Sequence, residues 1–215
     1  MLCRHAAPHF SCYALCAPIR SLQWQCYVPT LALLVTEDFD LDITNVGYLY
    51  LFFVGTSIAS SFSLTFHLQT LKMTPFSLLM AGYRLRCLSG LLHVLGCLAQ
   101  GEGYTEYSFP LLCASRVVHG YTILLFPLTI IWIGARESNE QKPLALGQRN
   151  AYSTLGIFFG IVVGSVLAFL ANSSLVAGMA PGLLNIVVSL GMLVWLQAGF
   201  EDRELCASAI SSAGA

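Results

Sequence analysis

Long apolar runs separated by short polar segments set the reading of this chain. The second run, from Tyr48 to about Leu68, contains LYLFFVGTSIASSFSLTF without a formal charge. Runs of about 20 apolar residues are long enough to cross a bilayer as helices. The pattern predicts six such spans, at about Leu15–Val35, Tyr48–Leu68, Leu85–Ala99, Phe109–Ile133, Ala151–Leu170 and Leu183–Phe200. Arg20, Gln23 and Gln25 interrupt the first. It spans if Arg20 lies near the inner face and snorkels into the headgroups, and otherwise lies in the interface. Pro127 removes a backbone donor and predicts a kink in the fourth span. Between Leu170 and the sixth span, Asn172-Ser173-Ser174 reads as a tight turn and as a formal glycosylation acceptor. A tail at 1–14, a six-helix domain at 15–200 and a polar tail at 201–215 complete the plan.

Composition places those runs in a membrane. The 215 residues are 56% hydrophobic and 10% charged, against about 25% charged in a soluble domain. The formal net charge of −1 offers no basic patch for nucleic acid. Of the eight cysteines, Cys87, Cys97 and Cys113 lie in apolar runs, and none forms a C-x-x-C pair or a zinc spacing. They read as small apolar fillers, and no metal or cofactor is expected.

The placement of basic residues orients the spans. The segments Thr36–Asn45, Gly101–Ser108 and Ala171–Pro181 contain no Lys or Arg, whereas Arg4, Lys72, Arg84, Arg136, Lys142, Arg149 and Arg203 fall on the alternate side. Basic loops stay in the cytoplasm, so both termini are expected there.

Arg116 is the candidate with the most chemistry. It stands about seven residues into the fourth span, where a cation is unfavourable by roughly 2.5–3.5 kcal/mol on insertion scales. It must therefore face a polar cavity, a partner or water. One reading puts it on a substrate pathway, binding an anionic or polar group; the other has it snorkel or bond backbone carbonyls of a neighbouring helix. His119, three residues on, shares nearly the same face. Either it exchanges a proton with the pathway or it is a hydrogen-bonding packer, and His93 on the third span has the same two readings. No Asp or Glu lies inside an apolar span, which argues against a carboxylate-based proton symport. Gly156, Gly160 and Gly164 form a stripe on the fifth span along which another helix can approach closely.

Arg116 and Gly120 form R-x-x-x-G, followed by a polar segment with Arg136, Lys142 and Arg149, then the glycine stripe. This sequence resembles the fourth and fifth helices of the major facilitator superfamily of secondary transporters. Gly82 and Arg84 are similar to the end of that family's cytoplasmic loop signature, although Leu79 stands where its acidic residue belongs and Ile161 replaces the proline of its fifth-helix motif. The resemblance implies an all-α membrane protein, a six-helix bundle like the N-terminal half of such a transporter. It implies transport of a small solute by alternating access, with Arg116 and His119 on the pathway and Gly120, Gly156, Gly160 and Gly164 packing helices. Full members have two such halves, so the resemblance implies either a fragment or shortened product of such a transporter, or a half whose partner is a second half-transporter or a second copy of this chain. The alternative is a non-transporting half that binds another membrane subunit. An intramembrane serine protease is not expected, because no histidine follows His119, and haem-binding helices need more histidines than His67, His93 and His119.

Overall fold

The structure, a computed structural model, describes residues 27–136, 139–170 and 174–213. They form helices with no strand among the described residues. Helix α1 occupies 27–33 and widens into a π-type turn at Leu34–Asp38; α2 is Ile43–Thr65 with a similar turn at Phe66–Thr70; α3 is Pro75–Gly101 and α4 is Thr105–Tyr121. A tight turn at Thr122–Leu124 leads into α5, Leu125–Arg136, followed by α6, Lys142–Leu170, and α7, Ser174–Ala213.

Local chemistry sets the ends of these helices. Asp40 (φ 49°) and Lys72 (φ 50°) adopt left-handed backbone after α1 and α2. Two residues later come the caps: Asp42 accepts from the Thr44 amide at 2.8 Å, and Thr74 from the Ser77 amide at 3.1 Å. Hydrogen bonding from Thr44 holds the exposed Asp42 carboxyl below its ordinary range. Pro75 then opens α3, where a missing amide proton costs nothing. Pro127 would clash with the carbonyl four residues earlier, Ile123, and there the fourth apolar run narrows into the Thr122–Leu124 turn.

Five stretches are long and apolar enough to cross a membrane: Ile43–Thr70, Phe76–Gly101, Thr105–Ile131, Lys142–Phe169 and Leu175–Ala198. The first predicted span falls partly on described residues: 27–38 are helical, while Arg20 and the rest lie outside them. The second, fourth and fifth spans coincide with these stretches. The third helix starts at Pro75, ten residues before the expected Leu85, so Gly82 and Arg84 are on α3 and not in a connecting loop. Likewise α7 begins at Ser174, which makes helix of most of the expected loop at 171–181 and leaves Asn172 and Ser173 outside the described residues. Arg149, counted among loop cations, lies two turns inside α6. Helix α7 continues through the polar tail to Ala213.

Helix α3 packs against α4 and α7, and α2 packs against α4; α6 meets the bundle principally through α5 and α7. Small residues permit the closest approaches. A methyl at Gly90 would stand 2.7 Å from the Gly182 carbonyl oxygen, so α3 and α7 cross nearly backbone to backbone. At Gly120 a methyl would collide with Thr56 and the Phe53 carbonyl of α2. Outward, Leu51, Phe62, Phe158, Phe169, Val187 and Val194 are exposed, an apolar exterior that suits acyl chains.

Two apolar cores occupy the two ends of the bundle. One contains Leu34, Val35, Leu49, Cys97 and Leu112; the other Leu79, Tyr83, Leu125, Leu128, Met192 and Leu196. Gln100 donates to the Asp38 carbonyl at 2.6 Å, placing the α1–α2 and α3–α4 turns at the first end.

Candidate functional site

A polar layer separates the two cores. Along α3 the buried positions run from Leu79 and Tyr83 of one core through Arg86, Ser89 and His93 to Cys97 of the other. Along α4 they run from Leu112 through Ser115 and Arg116 to His119, with Leu124 of the other core in the turn beyond, and on α7 Asn185 and Ser189 precede Met192 and Leu196. Spacings of three and four put each set on one helix face. At 1.5 Å per residue, Arg86 to His93 fall about 17 to 27 Å along a helix of about 40 Å. The layer therefore lies at mid-depth.

Arg116 is 1% exposed and Arg86 2%. Arg116 stacks its guanidinium over the Tyr27 ring, 4.0 Å from the centroid. Its Nη2 bonds His93 Nδ1 at 3.0 Å, and His93 Nε2 lies 2.7 Å from the Gly178 carbonyl oxygen. A carbonyl only accepts and a guanidinium only donates, so His93 is the neutral tautomer with its proton on Nε2. Arg86 Nε donates to Asn185 Oδ1 at 3.1 Å, and Asn185 Nδ2 is 3.3 Å from His119 Nδ1 and 3.4 Å from the Tyr27 hydroxyl. Ser89 and Ser115 each donate to the other's backbone carbonyl, at 3.1 and 2.8 Å, clamping α3 to α4.

Within this network Arg116 Nε and Nη1, three of the five guanidinium N–H donors, have no hydrogen-bond partner among the described residues, and neither does the Ser189 hydroxyl. A buried donor left without a partner is unfavourable by about 1–3 kcal/mol, more when charged. Among the described residues no carboxylate is available at this depth. Within the five apolar stretches the sole acidic residue is Glu106, exposed at the second position of α4. Residues 1–26 contain no Asp or Glu.

The expected site residues separate into groups. Arg116 and His119 share the layer, with His93. Gly120 abuts α2 beside it. Gly156, Gly160 and Gly164 are buried along α6 and belong to another part of the bundle. Gly82 lies against Leu125 in the second apolar core, and Arg84 is exposed on the outer face of α3. Arg86, Asn185 and the serine clamp were not singled out from the sequence. Their signal was present: Thr74-Pro75 is a helix start, and starting α3 there moves Arg86 from the membrane edge to its centre. Asn185 stands early in its apolar run, whose one other amide side chain, Gln197, lies near the far end. Among the described residues no group of three or more His, Cys, Asp or Glu is placed to hold a metal.

Compared with known proteins, the chain matches no family model, no curated protein and no solved structure. The likeness to the major facilitator superfamily therefore rests on the sequence features alone: Arg116 and Gly120, the basic segment after them, the α6 glycines, and Gly82 with Arg84.

Proposed function

We propose that this chain belongs to a multi-pass membrane protein that moves a small solute by alternating access, a carrier of the major facilitator type with Arg116 on the path. The observation that carries this reading is the polar layer at mid-depth between two apolar cores. A carrier needs a polar site near the bilayer midplane and a closure on each side of it. Leu34, Leu49 and Leu112 supply one closure, and Leu79, Leu125 and Leu128 the other. Every side chain of the layer is buried, so the arrangement corresponds to an occluded state.

Opening requires α7 to part from α3. The crossing at Gly90 and Gly182 is the natural pivot, because Pro181 beside it cannot donate to the Ala177 carbonyl. The layer's one link to the α7 backbone at that point is the bond from His93 to Gly178. With both termini on the side of Lys72 and Lys142, the acidic Glu37–Asp42 turn faces the opposite compartment.

The test is uptake by the full chain reconstituted in sealed vesicles, run against a panel of small anionic, neutral and cationic solutes. Accumulation above empty vesicles for at least one class supports the carrier. A folded chain that moves none contradicts it and favours the membrane-interaction protein, for which the slender attachment of α6 to the bundle would be the docking side.

A further inference from the structure

We infer that the polar layer binds a compact oxyanion, held by the Nε–H and Nη1–H groups of Arg116 with Arg86 as the second cation. This names the substrate class of the proposed carrier and rests on that reading. A donor-acceptor balance carries it. His93 Nδ1 is taken by Arg116, Asn185 Oδ1 by Arg86, His119 Nδ1 by Asn185, and the Gly178 carbonyl by His93. The principal acceptors of the layer are thus engaged, while donors on Arg116 remain over. A neutral polar solute would satisfy some of those donors but would leave the Arg116 charge without a counterion among the described residues.

Charge decides between the two ligand types. Arginine stays protonated in proteins, and among the described residues the layer contains no acidic side chain to offset it. Neither histidine supplies a negative charge in any tautomer. A carboxylate, phosphate or sulfate group supplies both the acceptor atoms and the charge, and guanidinium groups bind all three through charge-assisted hydrogen bonds. Tyr27 and Asn185 extend the site: each touches one arginine and they touch one another, so they join the two cations into one layer.

The experiment uses the full chain in nanodiscs of uncharged phosphatidylcholine. Calorimetry and thermal unfolding are followed with sulfate, inorganic phosphate and succinate, against chloride at matched ionic strength and against glucose. Saturable stabilisation by at least one oxyanion, and none by glucose, is expected. Arg116→Gln should weaken that binding by about tenfold to a hundredfold, and Arg116→Lys by less. Arg149→Gln, distant from the layer, should leave it unchanged. If Arg116→Gln does not fold, Arg86→Gln reads the same site. No oxyanion binding to the native chain, or binding indifferent to both arginines, overturns the inference. So does stabilisation only by discs containing phosphatidylserine, which would make this a lipid headgroup pocket. Oxyanion binding without uptake removes the carrier and keeps the site; uptake of a neutral solute without oxyanion binding does the reverse.

Discussion

Arg116 and Arg149 are buried in this bundle to nearly the same degree, and their surroundings differ. Arg149, 3% exposed on α6, uses every nitrogen: Nε to Thr129 at 3.3 Å, Nη1 to Asn150 at 3.0 Å and Nη2 to the Phe126 carbonyl at 3.4 Å. Its guanidinium also lies over the Phe126 ring at 3.9 Å. Arg149 therefore staples α6 to α5, and it asks for nothing more. Arg116 is equally hidden, yet Nε and Nη1 remain unmatched. Burial alone does not distinguish a structural cation from a functional one; the completeness of the hydrogen-bond shell does.

The two positions should fail in opposite ways. Arg116→Gln is expected to reduce solute uptake by about a hundredfold, the loss of a charge-assisted contact, while the unfolding midpoint holds or rises because an unmatched buried charge has gone. Arg149→Gln should do the reverse: a stability loss of about 2 kcal/mol, read by denaturant unfolding, with uptake per folded molecule retained. Equal losses of uptake in both variants would erase the contrast. A smaller effect tests whether the Arg116 side of the bundle is held by close packing. Gly120→Ala presses a methyl on Thr56 and should cost about 1–2 kcal/mol, whereas Gly147→Ala, with open space around it, should stabilise α6 by about 0.5–1 kcal/mol.

The smallest effect lies outside both regions, at the Asp42 cap. Its folded carboxyl titrates lower than in the unfolded chain. The cap's contribution is therefore complete above the ordinary aspartate range and is lost as pH falls through the lowered folded value. Asp42→Ala should remove that acid-side slope from unfolding curves, and Asp42→Asn should keep the cap without the slope.

Hydrophobic periodicity made the helical class and most of the spans legible, because a bilayer allows few alternatives to the helix. Boundaries were less legible. Polar residues at the start of α3, among them Lys72, Thr74 and Arg84, read as a loop, yet Arg84 sits on an outward face where its stem can reach headgroups. Pro181-Gly182 read as a turn, but a long membrane helix tolerates that pair, and here Gly182 lets α7 touch the His93 ring. Arg116 stood out in the sequence because its apolar flanks are long on both sides. Arg86 did not, since its depth depended on where α3 began. Which cation is matched and which is not is a tertiary property. Thr129 and Asn150, which satisfy Arg149, are unremarkable in any one-dimensional reading.

The most direct test of the account is solute uptake by vesicles containing the native chain, Arg116→Gln or Arg149→Gln, each normalised to folded protein. Loss confined to Arg116→Gln, with Arg149→Gln at the native rate, is the result expected if the unmatched guanidinium is on the solute's path. Native-rate uptake by Arg116→Gln would contradict it.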